Sequence, residues 1–161
     1  MRIVLGAAAV CLATGTAIMA QGSGAPPATY KTAAEISAAL AKIDTAASGA
    51  ATGADVSIAP GVSVRRRSAG GEPQYAIIHP LSIEIYQITE GSGTLVTGGT
   101  LVPPPPKPEN PDVVRSTGIK GGDSRKVGKG DVVVMPPGTP HWFSQIDGSI
   151  TYLEARIPVA K

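Results

Sequence analysis

From Val56 onward, the chain alternates apolar and polar positions over short segments that are rich in Val, Ile, Thr and Tyr. Turn-forming residues interrupt these segments at intervals of roughly eight to twelve positions, a spacing typical of β-sandwiches and barrels. The sequence therefore predicts an all-β domain. Within it, EGSG at 90–93 predicts a hairpin turn between two strands. The predicted strand segments are VSIAPGVSV, QYAIIH, IEIYQIT with TLVTGG, DVVVMP and ITYLEARIP.

A different pattern precedes the strands, in TAAEISAALAKID. Thr32 is a suitable N-cap, and Glu35 stands three residues later, as a capping box requires. Ile36, Leu40 and Ile43 then recur at helical spacing. We expect a short helix over 33–43 that packs on the outside of the main fold or against a neighbouring subunit.

The first twenty residues predict a signal peptide. Arg2 is followed by an uninterrupted run of apolar and small residues that ends at Ala20, the expected cleavage position. The run is short for a membrane-spanning helix, although a retained anchor is the alternative. We expect a secreted or periplasmic protein with no stable membrane association after cleavage. Residues 21–52 then form a flexible leader with the short helix, and 53–161 the barrel domain.

Composition and charge exclude several functions. The only cysteine, Cys11, lies within the predicted signal peptide, so the mature chain has no thiol for disulfide or thiolate chemistry. A formal charge of +2 and an aromatic content of 4% give no nucleic-acid surface. Arg65–Arg67 form the only basic run and are expected to lie on a solvated strand face. The proline-rich stretch 103–111 predicts a stiff loop.

Two motifs carry the candidate chemistry. In the first, His79 is followed by Glu84 after four residues and by Gly91 after six more. In the second, Gly130, Pro136, Gly138 and His141 follow the spacing G-x5-P-x-G-x2-H. Prolines fix the backbone around Gly138, so this turn is suited to holding the His141 imidazole in one place. Both histidines of the chain fall on these motifs.

These motifs resemble the two signature motifs of the cupin superfamily, over roughly residues 55–158. The resemblance implies a double-stranded β-helix, or jelly-roll, barrel with a metal site. Strand alternation places the two residues of each pair on the same face of their strand, and in a small barrel these inward faces converge on one cavity. The pairs are Ile77 with His79, Glu84 with Tyr86, and His141 with Phe143. His79, Glu84 and His141 are then the expected ligands of one divalent transition metal, namely Fe, Mn, Ni or Zn.

The chain departs from the family pattern at Ile77, where a full cupin site usually has a first histidine. Tyr86 or Gln145 is a candidate fourth ligand. The residues also have structural interpretations. Glu84 can pair with Arg115 or Arg156, His79 can be an edge residue before a proline, and His141 can cap an apolar barrel mouth.

We therefore expect a metal-dependent enzyme for small molecules, of oxygenase, lyase or isomerase type. Glu84 completes the metal site and Tyr86 is available for proton transfer. Apolar neighbours suggest an apolar cavity and an aromatic or modestly polar substrate. The alternatives are a non-catalytic ligand-binding protein and a structural protein, and a homodimer is expected in each case. The apolar neighbours are Ile77, Ile88, Met135 and Phe143.

Overall fold

The computed structural model describes residues 25–46, 53–70, 74–103 and 110–160. The predicted signal peptide and the prolines at 104–106 lie outside these residues. No helix in the described ranges is long and apolar enough to cross a membrane. The elements are α1 Ala33–Ala46, β1 Gly53–Ala59, β2 Val62–Ser68, β3 Ala76–Ile78, β4 Ser82–Thr97, β5 Thr100–Val102, β6 Val114–Ser116, β7 Gly118–Lys120, β8 Asp123–Gly128, β9 Val132–Met135 and β10 His141–Pro158.

The helix begins as the capping box predicts and is longer than expected. The Glu35 carboxylate accepts hydrogen bonds from the Thr32 amide at 2.7 Å and hydroxyl at 2.8 Å, and the Glu35 amide donates to Thr32 Oγ1 at 3.2 Å. Leu40 is buried against Val56 and Val64 on the outer face of the sheet. The helix therefore packs on the main fold, the first of its two predicted locations.

Two long antiparallel strands, β4 and β10, organise the sheet. The first half of β4 pairs with β9 and the second half with β8. The second half of β10 pairs with β2, and β2 pairs with β1. The first residue of β10 pairs with β3, and β3 pairs with β6. Strands β5 and β7 form a separate two-stranded sheet. The long strands thus belong to both halves of the barrel.

The hairpin predicted at 90–93 is wrong, because β4 continues through this stretch. Its pairing with β10 shifts register between Ile146 and Ile150, so the two strands bend together instead of one strand turning back. Gly91 has a φ of +72°, and a Cβ there would lie 1.9 Å from the Ser149 carbonyl oxygen. Glycine is needed for this bend, not for a turn.

One core fills the space between the two halves of the barrel. It takes Tyr86 and Leu95 from opposite halves of β4, and Phe143 and Tyr152 from opposite halves of β10. Since residues from both halves meet in one cluster, the strands enclose a single interior. The predicted all-β barrel is confirmed, and the ends of β3, β4 and β10 meet at one end of it.

Strand β2 has the opposite inside-outside arrangement to the one we expected. Val64 lies on the outer face under the helix, whereas Arg65 and Arg67 line the cavity inside the barrel. The prediction of a solvated face is therefore wrong for these two arginines, whose side chains are 24% and 13% exposed. The alternation of side chains along β2 determines which residues share a face, and the packing of the helix against Val64 determines which face is outside.

Candidate metal centre

His79, Glu84 and His141 converge at one end of the barrel, as predicted. His79 directly follows β3, Glu84 lies in the first half of β4, and His141 begins β10. All three side chains are almost completely buried. Glu84 Oε2 lies 2.9 Å from His141 Nε2 and 3.7 Å from His79 Nε2. One nitrogen or oxygen atom from each residue lies within 4.8 Å of the corresponding atoms of the other two.

His79 is held in place by the turn before β6. Its Nδ1 lies 2.6 Å from the carbonyl oxygen of Asp112. The Asp112 carboxylate in turn accepts hydrogen bonds from the Leu81 amide at 2.7 Å and the Ser82 hydroxyl at 2.6 Å. The turn thus grips both the ring and the chain that follows it. An imidazole fixed through Nδ1 to a carbonyl presents its Nε2 lone pair to a metal.

His141 is supported by the proline-rich turn that precedes it. Its Nδ1 lies 3.0 Å from the Thr139 carbonyl oxygen, so this ring also directs Nε2 at Glu84. Gly138 adopts a φ of +80°, and its amide donates to the His79 carbonyl at 3.0 Å. A side chain at Gly138 would strain this conformation. The turn therefore fixes the two histidine segments relative to each other.

The donor atoms fit a transition metal. His79 Nε2, Glu84 Oε2 and His141 Nε2 are buried and have no hydrogen-bond partner. Buried polar atoms are rarely left unsatisfied, because each costs about 1–3 kcal/mol. Here three such atoms face one another, and two imidazoles with a carboxylate suit Fe, Mn, Ni or Zn. A metal held there would have three protein ligands among the described residues.

Glu84 is ionised in this setting. Burial alone would raise the pKa of its carboxyl, but the neighbouring His141 and then His79 outweigh burial and lower the pKa to about 2. Arg156 Nη2 lies 3.4 Å from Glu84 Oε1, so the predicted pairing with Arg156 is found together with the histidine cluster. Burial also lowers the pKa of His79, which favours the neutral ring that a metal requires.

Tyr86 stands beside the site on the same face of β4. Its hydroxyl donates to Glu84 Oε1 at 3.4 Å, and its ring meets His141 edge-on at a centroid distance of 5.8 Å. Burial, followed by nearby negative charges, raises the pKa of the phenol well above its usual range. Tyr86 is therefore protonated at neutral pH, so it is placed to give a proton but not to take one.

Gln145 does not approach the centre and is wrong as a candidate fourth ligand. Its side chain is exposed and donates to Asp147 at 3.0 Å, because the register shift after Phe143 in β10 directs it outward. Ile77 does line the cavity beside the histidines. No histidine, cysteine, aspartate or glutamate of the described residues joins the three ligands as a fourth.

The cavity above the centre is charged, which corrects the expected apolar cavity. Its volume is about 230 Å³. Ile77 and Phe143 line it, whereas Ile88 and Met135 are buried in the core and do not. The charged lining consists of Arg65, Arg67, Arg115, Arg156, Glu84 and Glu154.

Sequence reasoning missed two residues of the site. Asp112 positions His79 but lies in a turn whose pattern carries no signal for that contact. Glu154 lines the cavity, pairs with Arg156 at 3.1 Å and has a pKa raised to about 7, with burial as the largest cause. The alternation of Tyr152, Glu154 and Arg156 with partly apolar neighbours was visible in the sequence, but not which face is inside.

Among known proteins, the chain is similar only to solved structures, and only in fold. No family model and no curated protein matches the chain. Solved structures with similar folds include the DMSP lyase DddQ from Ruegeria pomeroyi DSS-3, at 19% identity and a TM-score of 0.40 over 64% of this chain and 41% of that one. An oxalate oxidase matches at 21% identity and a TM-score of 0.40, over 66% of this chain and 50% of that one.

A cupin 2 conserved barrel domain protein from Rhodopseudomonas palustris is also similar, at 19% identity and a TM-score of 0.39. That match covers 68% of this chain and 61% of the other. The chain thus spans less than two thirds of each of these three proteins. Because the TM-scores lie below 0.5 and the identities below 25%, no activity follows from these neighbours. What the chain itself shows is an all-β barrel in which two cupin-like motifs, on neighbouring strands, bring His79, Glu84 and His141 together.

Proposed function

We propose that the chain is an exported member of the cupin superfamily that binds one divalent transition metal and acts on a small organic substrate. The observation that carries this proposal is the convergence of three buried, unpartnered donor atoms on His79, Glu84 and His141. Glu84 Oε2 lies 2.9 Å from His141 Nε2, yet none of the three atoms has a hydrogen-bond partner. Both imidazoles use Nδ1 for the backbone and keep Nε2 for the centre.

A metal at this centre supplies a Lewis acid, or with iron or manganese a redox partner, for a substrate in the cavity. The protein residues perform the remaining tasks. Glu84 contributes the negative charge that balances the cation, and Arg156 holds the second oxygen of that carboxylate. Tyr86 holds a proton at its hydroxyl next to the same oxygen. A metal held by these three protein ligands would suit oxygenase, lyase or isomerase chemistry.

Metal analysis tests this proposal directly. The purified protein is stripped with chelator, incubated in turn with Fe(II), Mn(II), Ni(II) and Zn(II), desalted and analysed by mass spectrometry of the elements. We expect one equivalent of metal in the unchanged protein and in the control Glu154→Gln, which alters the same cavity without removing a ligand. His79→Ala and His141→Ala should lose most of the metal. Absence of stoichiometric metal in the unchanged protein would end the proposal.

A second candidate is a non-catalytic ligand-binding protein, which Ile77 favours because it places an apolar side chain where a fourth ligand would stand. The two candidates differ in how they respond to loss of the histidines. If His79→Ala and His141→Ala leave both ligand affinity and thermal stability unchanged, the protein binds its ligand without a metal. A loss of affinity with each variant supports the metal-centred function.

Export and dimer formation are parts of the proposal that rest on separate observations. The apolar run that ends at Ala20 supports export, and intact mass of the protein from a secreting host would locate the new N-terminus. An exposed apolar outer face supports a homodimer, since Val132, Val134 and Ile157 are 60%, 58% and 49% exposed on β9 and β10. Light scattering measures the mass in solution, and a monomer would contradict the dimer.

A further inference from the structure

Arginines surround the cavity above the metal centre on several sides. Arg65 and Arg67 come from β2, Arg115 from β6 and Arg156 from the end of β10. These strands are distant in the sequence, so the four arginines line one cavity only because the barrel closes. A cavity of about 230 Å³ with this lining is suited to a small ligand that carries negative charge.

Two of these arginines are neutralised by the protein itself. Arg65 Nε lies 2.8 Å from Glu154 Oε2, and its Nη1 lies 3.2 Å from Asp55 Oδ2. Arg67 Nη1 lies 2.7 Å from the other oxygen of Asp55. The ion pairs hold both guanidiniums against the wall of β2. Both guanidiniums are therefore already paired and are less available for direct contact with a ligand than an unpaired arginine is.

The remaining two arginines differ from each other. Arg156 pairs with Glu84 at 3.4 Å and with Glu154 at 3.1 Å, so it is part of the metal centre. Arg115 lines the cavity, is exposed to solvent and makes no ion pair with any described residue, and its guanidinium lies 5.9 Å from the centroid of the exposed Tyr75 ring. A cation–π contact between exposed side chains is weak, and it leaves the guanidinium N–H groups free for a carboxylate.

Arg115 also has a defined position relative to the metal ligands. Its backbone pairs with Ile77 across β6 and β3, and Ile77 pairs with His141 across β3 and β10. Two strand spacings, about 10 Å between Cα atoms, thus separate Arg115 from a ligand. The side chain of Ile77 lies between them on the cavity wall. Across the cavity wall, the candidate ligand His141 is therefore followed by the apolar Ile77 and then by the guanidinium of Arg115.

We propose that the substrate is a small carboxylate whose carboxylate group binds Arg115, while its opposite end reaches the metal held by His79, Glu84 and His141. This inference rests on the proposed function, since it names the substrate class of the same site. The apolar part of the substrate, a short carbon chain or a single ring, lies over Ile77. Arg115 is thus a specificity-determining residue that binds substrate away from the reacting atoms.

Matched carboxylate and amide pairs test the role of Arg115. Calorimetric titration of the metal-loaded protein compares butyrate with butyramide, benzoate with benzamide and succinate with succinamide. We expect at least one carboxylate to bind about tenfold or more tightly than its amide, as charge-assisted hydrogen bonds allow. Arg115→Ala should reduce that preference to about threefold or less, and Arg115→Lys should keep part of it.

Arg125→Ala is the matched control, because Arg125 is an exposed arginine on β8 that pairs with Asp123 outside the cavity. It should leave the preference unchanged. The inference is overturned if no carboxylate is preferred over its amide, or if the preference survives in Arg115→Ala. Metal titration of the same samples separates the two proposals. Metal binding without carboxylate preference refutes only the substrate class, whereas loss of metal binding refutes the proposed function.

Discussion

Replacing Glu84 by glutamine should abolish metal binding without weakening the metal-free fold. In the metal-free protein, Nδ1 of His79 and Nδ1 of His141 each contact a backbone carbonyl oxygen. Glu84 Oε2 faces Nε2 of His141 at 2.9 Å, and neither atom has a hydrogen-bond partner. The amide group of a glutamine can donate to that nitrogen, while its oxygen still accepts from Arg156.

The magnitude follows from these contacts. Satisfying a buried polar group recovers about 1–3 kcal/mol. Losing the ion pair with the partly exposed Arg156 costs about 0–1 kcal/mol. We therefore expect the free energy of unfolding of Glu84→Gln, in the presence of chelator, to be unchanged or raised by about 1–2 kcal/mol. Removing one partner of an ordinary buried ion pair would instead cost about 3–5 kcal/mol.

Metal reverses the order of the two proteins. At a concentration one hundred times the dissociation constant, a bound metal stabilises the unchanged protein by about 2.7 kcal/mol. Glu84→Gln should lose most of that increment, because the neutral amide is a poor ligand for the cation. Urea denaturation followed by Trp142 fluorescence, with chelator and with excess metal, measures both quantities.

Glu154→Gln is the control for Glu84→Gln. Glu154 is also buried in the same cavity, but it is not a proposed ligand. This variant should keep the metal-dependent increment. Our interpretation of the centre would be refuted if Glu84→Gln lost about 3 kcal/mol or more in chelator, or if it retained the increment.

Three further variants test the parts of the fold that position the site. Asp112→Ala removes the acceptor of two hydrogen bonds beside His79. It should weaken metal affinity about tenfold or more in a chelator-competition titration. Unchanged affinity would show that the turn is not needed. Gly91→Ala should unfold at markedly lower urea than Gly148→Ala, since both glycines have positive φ but only Gly91 would press a Cβ against the Ser149 carbonyl; equal midpoints would contradict the bend. Leu40→Ala should cost about 2–3 kcal/mol of unfolding free energy by urea denaturation, because this side chain anchors the helix to the sheet; a loss below about 0.5 kcal/mol would show that the helix is not docked.

Much of the centre could be predicted from the sequence. Fixed spacings in two motifs identified His79, Glu84 and His141, because strand alternation and a rigid proline-rich turn constrain where each side chain points. The capping box at Thr32 and Glu35 likewise gave the start of the helix. Such features are local, and each depends on residues a few positions apart, so the chain itself specifies them.

The prediction of a hairpin turn at 90–93 was wrong because the same glycine-rich pattern is compatible with a hairpin and with a bent strand. Gly91 takes a positive φ in both cases. Which one forms depends on the partner strand, and β10 runs beside β4 on both sides of the bend. That partner begins some fifty residues further along the chain, beyond the reach of any local pattern.

The character of the cavity was decided in the same way. Sequence alternation determined that Arg65 and Arg67 share one face of β2 and that Val64 lies on the other. Only the tertiary structure decided that Val64 faces the helix and the arginines face the interior, where Asp55 and Glu154 compensate their charge. Local geometry sets the period of a strand, whereas its phase relative to the inside of a barrel is a property of packing between distant segments. The candidate metal ligands could thus be predicted from the motifs, whereas the charged lining above them results from closure of the barrel.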